Sequence, residues 1–190
     1  MTLALFILGS PGVGKTTLAR AIFHALDPLA VPYLVPKPKW TVAPDSWCAA
    51  GHYTGQTFDG ADTVPYSGAA IALDYWSLHL PAWRPKLTIF DGDRFSHASA
   101  LARVRAELGQ DRVLAVHLTI GSAELAARCS ARGSAQNPTW AKGRATKARR
   151  FAELFPPHLA LHLDADKPPS AMAEAVLGLL DRSTKPTTAS

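Results

Sequence analysis

The first apolar run, Leu3-Ala-Leu-Phe-Ile-Leu8, is short, continuous and ended by Gly9. That is the pattern of a strand buried on both faces of a parallel sheet. Apolar residues then recur at helical spacing, at Leu18, Ala19, Ile22 and Ala25, and Asp27-Pro28 closes the period, which predicts a helix over 15–26. The alternation continues with a helix over 69–80, a strand over 87–90, a helix over 99–108 and a strand over 112–120. A helix over 122–132 with Ser122 as N-cap, a strand over 159–163 and a helix over 170–180 complete the series. Strands alternating with helices predict a three-layer α/β fold around a mostly parallel sheet. One domain over 1–182 holds all of it, with 183–190 as a flexible tail.

The stretch 28–68 breaks this rhythm. It has prolines at 28, 32, 36, 38, 44 and 65 and aromatics at Tyr33, Trp40, Trp47, Tyr53, Phe58 and Tyr66. Such a stretch resists long regular elements and is expected to form ordered loops and short pieces over a site. Lys37 and Lys39 interleave with Trp40, Trp47, Tyr53 and Phe58, a mixture suited to backbone phosphates and stacked bases. Asp62, beside Thr63, offers a carboxylate for a base edge. The same aromatics would also serve as core beneath long loops.

Composition narrows the class. At 190 residues, 47% hydrophobic and 18% charged, the chain can bury a core and is neither disordered nor collagen-like. No apolar run approaches the roughly 20 residues that cross a bilayer. The run at 3–8 lacks the basic flank and cleavage site of a signal peptide, so a cytoplasmic protein with no membrane partner is expected. Cys48 and Cys129 are expected as reduced thiols. Cys48 and His52, at i and i+4, are too few ligands for zinc. An excess of 20 Lys and Arg over 15 Asp and Glu favours anionic partners. Nothing in the sequence calls for an obligate protein partner.

The chemistry begins at the first turn. Gly9-Ser-Pro-Gly-Val-Gly14-Lys15-Thr16 fits G-x-x-x-x-G-K-[ST] in full, between a predicted strand and a predicted helix. Glycines let backbone N–H groups turn inward around phosphate oxygens, and the positive end of the following helix points at the same place. Gly9, Ser10, Pro11, Gly12, Val13, Gly14, Lys15, Thr16 and Thr17 are thus the expected ATP site. Lys15 serves the β and γ phosphates, and the Thr16 hydroxyl serves Mg²⁺. The chain has no N-K-x-D, which disfavours a GTPase switch.

Asp91 and Asp93 are delivered to the carboxyl end of the strand over 87–90, where ligands collect in open α/β sheets. Asp91 is read as the metal-side group. Asp93 with Arg94 resembles the Asp-Arg pair that nucleoside and thymidylate kinases carry after the corresponding strand, which implies Asp93 as candidate base and Arg94 on acceptor or phosphate, although the two aspartates could exchange roles. Over 128–150 lie Arg128, Arg132, Lys142, Arg144, Lys147, Arg149 and Arg150 with no acidic residue among them. Interrupted by Gly133, Asn137-Pro138 and Gly143, this reads as a basic lid, with Arg128 and Arg132 as the contacts to the migrating phosphate. Such a run is also what a solvated helix face looks like.

Three stretches together resemble the small phage P-loop kinases that phosphorylate 5-hydroxymethyluracil within DNA during thymine hypermodification. They are the loop from Gly9 to Thr17, the segment Gly55-Gln-Thr-Phe-Asp-Gly-Ala-Asp-Thr-Val-Pro-Tyr-Ser67, and Thr139-Trp-Ala-Lys-Gly-Arg-Ala-Thr-Lys147 after Arg128-Cys-Ser-Ala-Arg132. The resemblance implies a P-loop kinase domain with 28–68 as acceptor-binding insertion and 128–150 as lid. It also implies transfer of the γ-phosphoryl group of ATP to the hydroxymethyl oxygen of the base, giving 5-phosphomethyl-deoxyuridine. DNA is then the partner, with Lys142 and Arg144 on the acceptor side. A kinase for a free nucleoside monophosphate would use the same cradle, carboxylates and lid, and a nucleotide-dependent regulatory module would use the cradle alone.

Overall fold

The computed structural model describes residues 1–55, 59–131, 133 and 137–184. In chain order the elements are β1 (Leu3–Gly9), α1 (Lys15–Leu26), β2 (Tyr33–Val35), β3 (Trp40–Ala43), β4 (Trp47–Ala50), α2 (Ala69–Trp83) and β5 (Leu87–Asp91). They continue with α3 (Ala98–Leu108), β6 (Val113–Thr119), α4 (Ser122–Ala131), α5 (Pro138–Ala152), β7 (Ala160–Asp164) and α6 (Pro169–Thr184). The strands form one seven-stranded sheet in the order β2-β3-β4-β5-β1-β6-β7. From β4 to β7 all neighbours are parallel, and β2 and β3 add an antiparallel edge.

Alternation along β1 sorts the core into two layers. Ala4, Phe6 and Leu8 pack with residues of α2, α3 and α5, while Leu3, Leu5 and Ile7 pack with α1 and α6. Both faces of the sheet are covered, which is why β1 reads as a continuous apolar run. Phe6 is held between Phe90 at 5.0 Å and the α5-side rings Phe151 at 5.5 Å and Phe155 at 5.9 Å between centroids. β5 and β6 lie on opposite sides of β1, so the chain leaves the carboxyl end of β1 one way and crosses back the other. That switch point is where a crevice opens in such sheets.

The stretch 28–68 is more regular than its prolines suggest, because β2, β3 and β4 extend the sheet from within it. This moves two expected acceptor residues into the core. Trp40 is fully buried, 5.7 Å from Trp83 and edge-on to Phe90 at 5.9 Å, and Trp47 stacks on Phe23 at 3.9 Å. A four-residue strand inside a covered sheet must bury both faces, and large rings bury the most area per residue. The expected lid is likewise mostly helix, as α4 and α5. Thr184 still belongs to α6, and 185–190 lie outside the described residues. Among the described residues no helix is long and apolar enough to cross a membrane.

Candidate active site

The loop after β1 turns into α1 through Gly14, whose left-handed φ of 108° no other residue adopts easily. Lys15 Nζ lies across the loop and donates to the carbonyl oxygens of Gly9 at 3.1 Å and Ser10 at 2.9 Å. Gly9, Pro11, Gly12, Gly14, Lys15, Thr16 and Thr17 line a cleft of about 810 Å³. Val13 turns the other way and is buried in the core.

The cleft floor joins β1's loop to the end of β5. Thr16 Oγ1 donates to Asp91 Oδ2 at 2.8 Å, and the Ala61 N–H donates to Asp91 Oδ1 at 2.8 Å. Asp91 is only 3% exposed. Burial raises its pKa above the usual carboxylate value, against the Ala61 N–H, the Thr16 hydroxyl and the nearby Lys15 charge, which lower it. Gly60 is required here: its φ is +64°, and a Cβ would stand 2.8 Å from Asp91 Oδ2. The segment after β4 thereby closes over the buried carboxylate.

Beside it, Asp59 is 8% exposed and accepts from the backbone N–H groups of Thr54 at 2.7 Å and Gly55 at 3.2 Å. It also pairs with Arg20 of α1. Asp59, Arg20 and the exposed Asp62 all line the cleft. The Thr63 hydroxyl is used inside the loop, donating to the Gly60 carbonyl and accepting from the His52 N–H.

The opposite wall comes from the turn after β5 and from α5. Arg144 pairs with Asp93, donates to the Tyr66 hydroxyl at 3.1 Å, and lies 5.0 Å from the Trp140 ring centroid. Trp140, Arg144, Lys147 and Ala148 fall on one face of α5, and all four line the cleft together with Tyr66 and Asp93. Lys147 Nζ donates to the Asp93 carbonyl at 3.3 Å. Tyr66 is 64% exposed and Trp140 44% exposed, so two aromatic rings stand at the mouth of a charged cleft.

Several expected contacts lie elsewhere. Arg94 does not line the cleft: its guanidinium sits 3.3 Å above the Tyr66 ring, with Nε and Nη1 buried and unpartnered among the described residues. Arg128 is not among the residues that line the cleft, and it donates to Glu124 at 2.8 Å, to the Ala165 carbonyl at 3.1 Å and to the Val13 carbonyl at 3.5 Å. It thereby ties α4 to the loop after β1 and to the segment after β7. Lys37 and Lys39 flank Pro38 in the turn between β2 and β3, three strands from β1. Lys142 is exposed on α5 away from the cleft. Tyr53 meets Phe23 edge-on at 5.0 Å with its hydroxyl buried, and burial followed by the Asp91 charge pushes its pKa up. Phe58 and Arg132 lie outside the described residues.

Arg20, Asp59, Tyr66 and Trp140 were not singled out by sequence as site residues, and Lys147 was read only as one of the lid's basic residues. Arg20 stands one helical turn after Thr16, and Trp140, Arg144 and Lys147 share i, i+4, i+7 spacing, so both faces were legible in principle. As a metal site, Thr16 and Asp91 offer oxygen donors alone, which suits a hard cation that keeps its waters and takes phosphate oxygens. Among the described residues no group of three or more His, Cys, Asp or Glu gathers to hold a metal.

No protein family and no curated protein matches the sequence. Solved structures do. A sugar kinase from a Janibacter species, solved without ligand, superposes with a TM-score of 0.58 at 15% identity, covering 95% of each chain. The sulfotransferase domain of the curacin biosynthetic pathway gives 0.52 at 13% identity over 95% of this chain and 74% of that one. A tunicamycin resistance protein from Deinococcus radiodurans gives 0.50 at 19% identity over 94% of this chain and 95% of that one. The chain is thus similar in fold to a sugar kinase, to a sulfotransferase domain and to a tunicamycin resistance protein, and the shared architecture is what the likeness shows.

Proposed function

We propose that this protein is an ATP-dependent kinase that phosphorylates the hydroxymethyl oxygen of 5-hydroxymethyluracil in DNA. The observation that carries this reading is a single cleft with Thr16 and Asp91 on its floor and Asp93, Arg144, Tyr66 and Trp140 on its far wall. A phosphate cradle beside a buried carboxylate serves the donor. A carboxylate paired with Arg144 beside two exposed aromatics suits a planar base that carries an alcohol.

In this reading the loop amides and Lys15 hold the triphosphate, and Asp91 fixes the Thr16 hydroxyl. Thr16 and Asp91 would hold magnesium, which would supply positive charge to offset that of the phosphates. Asp93 orients the alcohol and accepts its proton as the new O–P bond forms and the bond to the β–γ bridging oxygen breaks, releasing ADP. Arg144, already on Asp93, stands where it can share its donors with the phosphoryl group in flight. Tyr66 and Trp140 stack on the base.

The test is incubation with γ-labelled ATP and two acceptors, DNA containing 5-hydroxymethyluracil and the matching free monophosphate. Label in the DNA supports the reading. Label in the free monophosphate alone would replace it with a monophosphate kinase.

A further inference from the structure

The side of α5 next to the cleft-facing one carries a second groove. Gly143, Thr146, Lys147, Arg150 and Phe151, with Leu154 just past the helix, form one stripe and line a space of about 440 Å³ with Ser96. Ser96 and Lys147 line the cleft as well, so groove and cleft are continuous.

Its chemistry is one-sided. Phe151, 4% exposed, makes an apolar floor, and Lys147 and Arg150 supply the charge. No acidic residue lines it, and the nearby acids are occupied, Glu153 by Arg149 and Asp93 by Arg144. The Arg150 side chain makes no hydrogen bond or ion pair among the described residues. The hydroxyls are spent locally, Ser96 on the Gly92 carbonyl at 2.6 Å and Thr146 on the Lys142 carbonyl at 3.0 Å. The donors left are cationic. Gly143 adds an independent sign: a Cβ there would meet nothing within 4 Å among the described residues, so no packing among them calls for a glycine in mid-helix. It leaves the helix surface open to close approach.

We infer that this groove carries the phosphodiester backbone on one side of the base that enters the cleft, with Lys147 and Arg150 on neighbouring phosphates. The inference rests on the reading that the acceptor is a base within DNA. Arg150 lies about 4.5 Å beyond Lys147 along the helix axis, and a strand leaving the cleft past Lys147 would meet it next. The apolar floor then faces the sugars. A free monophosphate would fill the cleft and leave the groove unused.

The test is fluorescence anisotropy of fluorescein-labelled single-stranded DNA containing 5-hydroxymethyluracil, over a series of salt concentrations. Arg150→Gln is expected to weaken binding several-fold and to flatten the slope of log K against log salt by about 0.7, the release expected for one phosphate contact on a single strand. Arg150→Lys should keep the slope. Arg149→Gln, the same change of charge at a residue held by Glu153, should leave it unchanged. Equal losses in Arg150→Gln and Arg149→Gln, no loss in either, or no DNA binding by the wild type would overturn the inference. Turnover separates it from the parent reading. Labelled DNA with an unchanged KM in Arg150→Gln would sink the groove alone, whereas label confined to the free monophosphate would sink the reading itself.

Discussion

Arg144 reaches from α5 to the carboxylate of Asp93 at the end of β5 and holds the Tyr66 hydroxyl with the same guanidinium. A cation and a carboxylate brought together at the mouth of a phosphate cleft each have a second task open to them, one toward the phosphoryl group and one toward the alcohol proton. Asp93→Asn is expected to lower kcat by on the order of 10²–10⁴-fold, the usual worth of a positioned acid or base, with ATP affinity little changed. Equal losses in kcat and ATP affinity, measured by steady-state kinetics, would assign Asp93 to nucleotide binding instead.

Arg144→Lys keeps the charge and loses the planar fork that serves Asp93 and Tyr66 together. It is expected to lose most of the kcat that Arg144→Ala loses. Recovery to wild-type turnover in the lysine variant, in the same kinetic assay, would mean that charge alone matters there.

Buried Asp91 makes nucleotide-free protein pH-sensitive in a stated direction. Its folded pKa is raised, first by burial. Its contribution to stability is therefore complete below the ordinary carboxylate value of 3.8 and is lost as pH rises through the folded value. In thermal melts without nucleotide, Asp91→Asn should remove that part of the slope and gain on the wild type toward neutral pH, while abolishing transfer. Parallel melting curves for the two proteins across pH would contradict the assignment.

The two thiols should behave oppositely. Cys48 is buried against Thr88, and burial pushes its pKa up to about 12, so it is inert to alkylation until the chain unfolds. Cys129 lines the cleft, with its Sγ 2.8 Å from where a Cβ of Gly12 would stand. Mass spectrometry after brief iodoacetamide treatment should find label at Cys129 alone, and ATP should slow it. Labelling of Cys48 in the native protein, or no protection of Cys129, would be the contrary result.

What could be read from sequence depended on range. β1, α1 and the turn between them were legible because each is specified by neighbours in the chain. The helix expected over 69–80 runs on to Trp83, past Pro81, because Trp83 packs against Trp40, a contact no local pattern reveals. Trp40 and Trp47 looked like a stacking platform because strands of four residues among prolines give too little period to read. The site suffers most from this. Thr16 and Asp91 lie 75 residues apart and meet only once β1 and β5 pair. Arg128 was placed over the phosphates from its charge, and its actual hold on the Val13 and Ala165 carbonyls depends on how α4 docks.

Calorimetric titration of ATP into the protein, with magnesium and then with EDTA, tests the phosphate cradle most directly. Saturable binding that needs magnesium in the wild type and is lost in Lys15→Ala, with the variant's circular dichroism unchanged, is the expected result. Heat absent from the wild type, or identical in wild type and Lys15→Ala, would contradict the assignment of residues 9–16 as a nucleotide site.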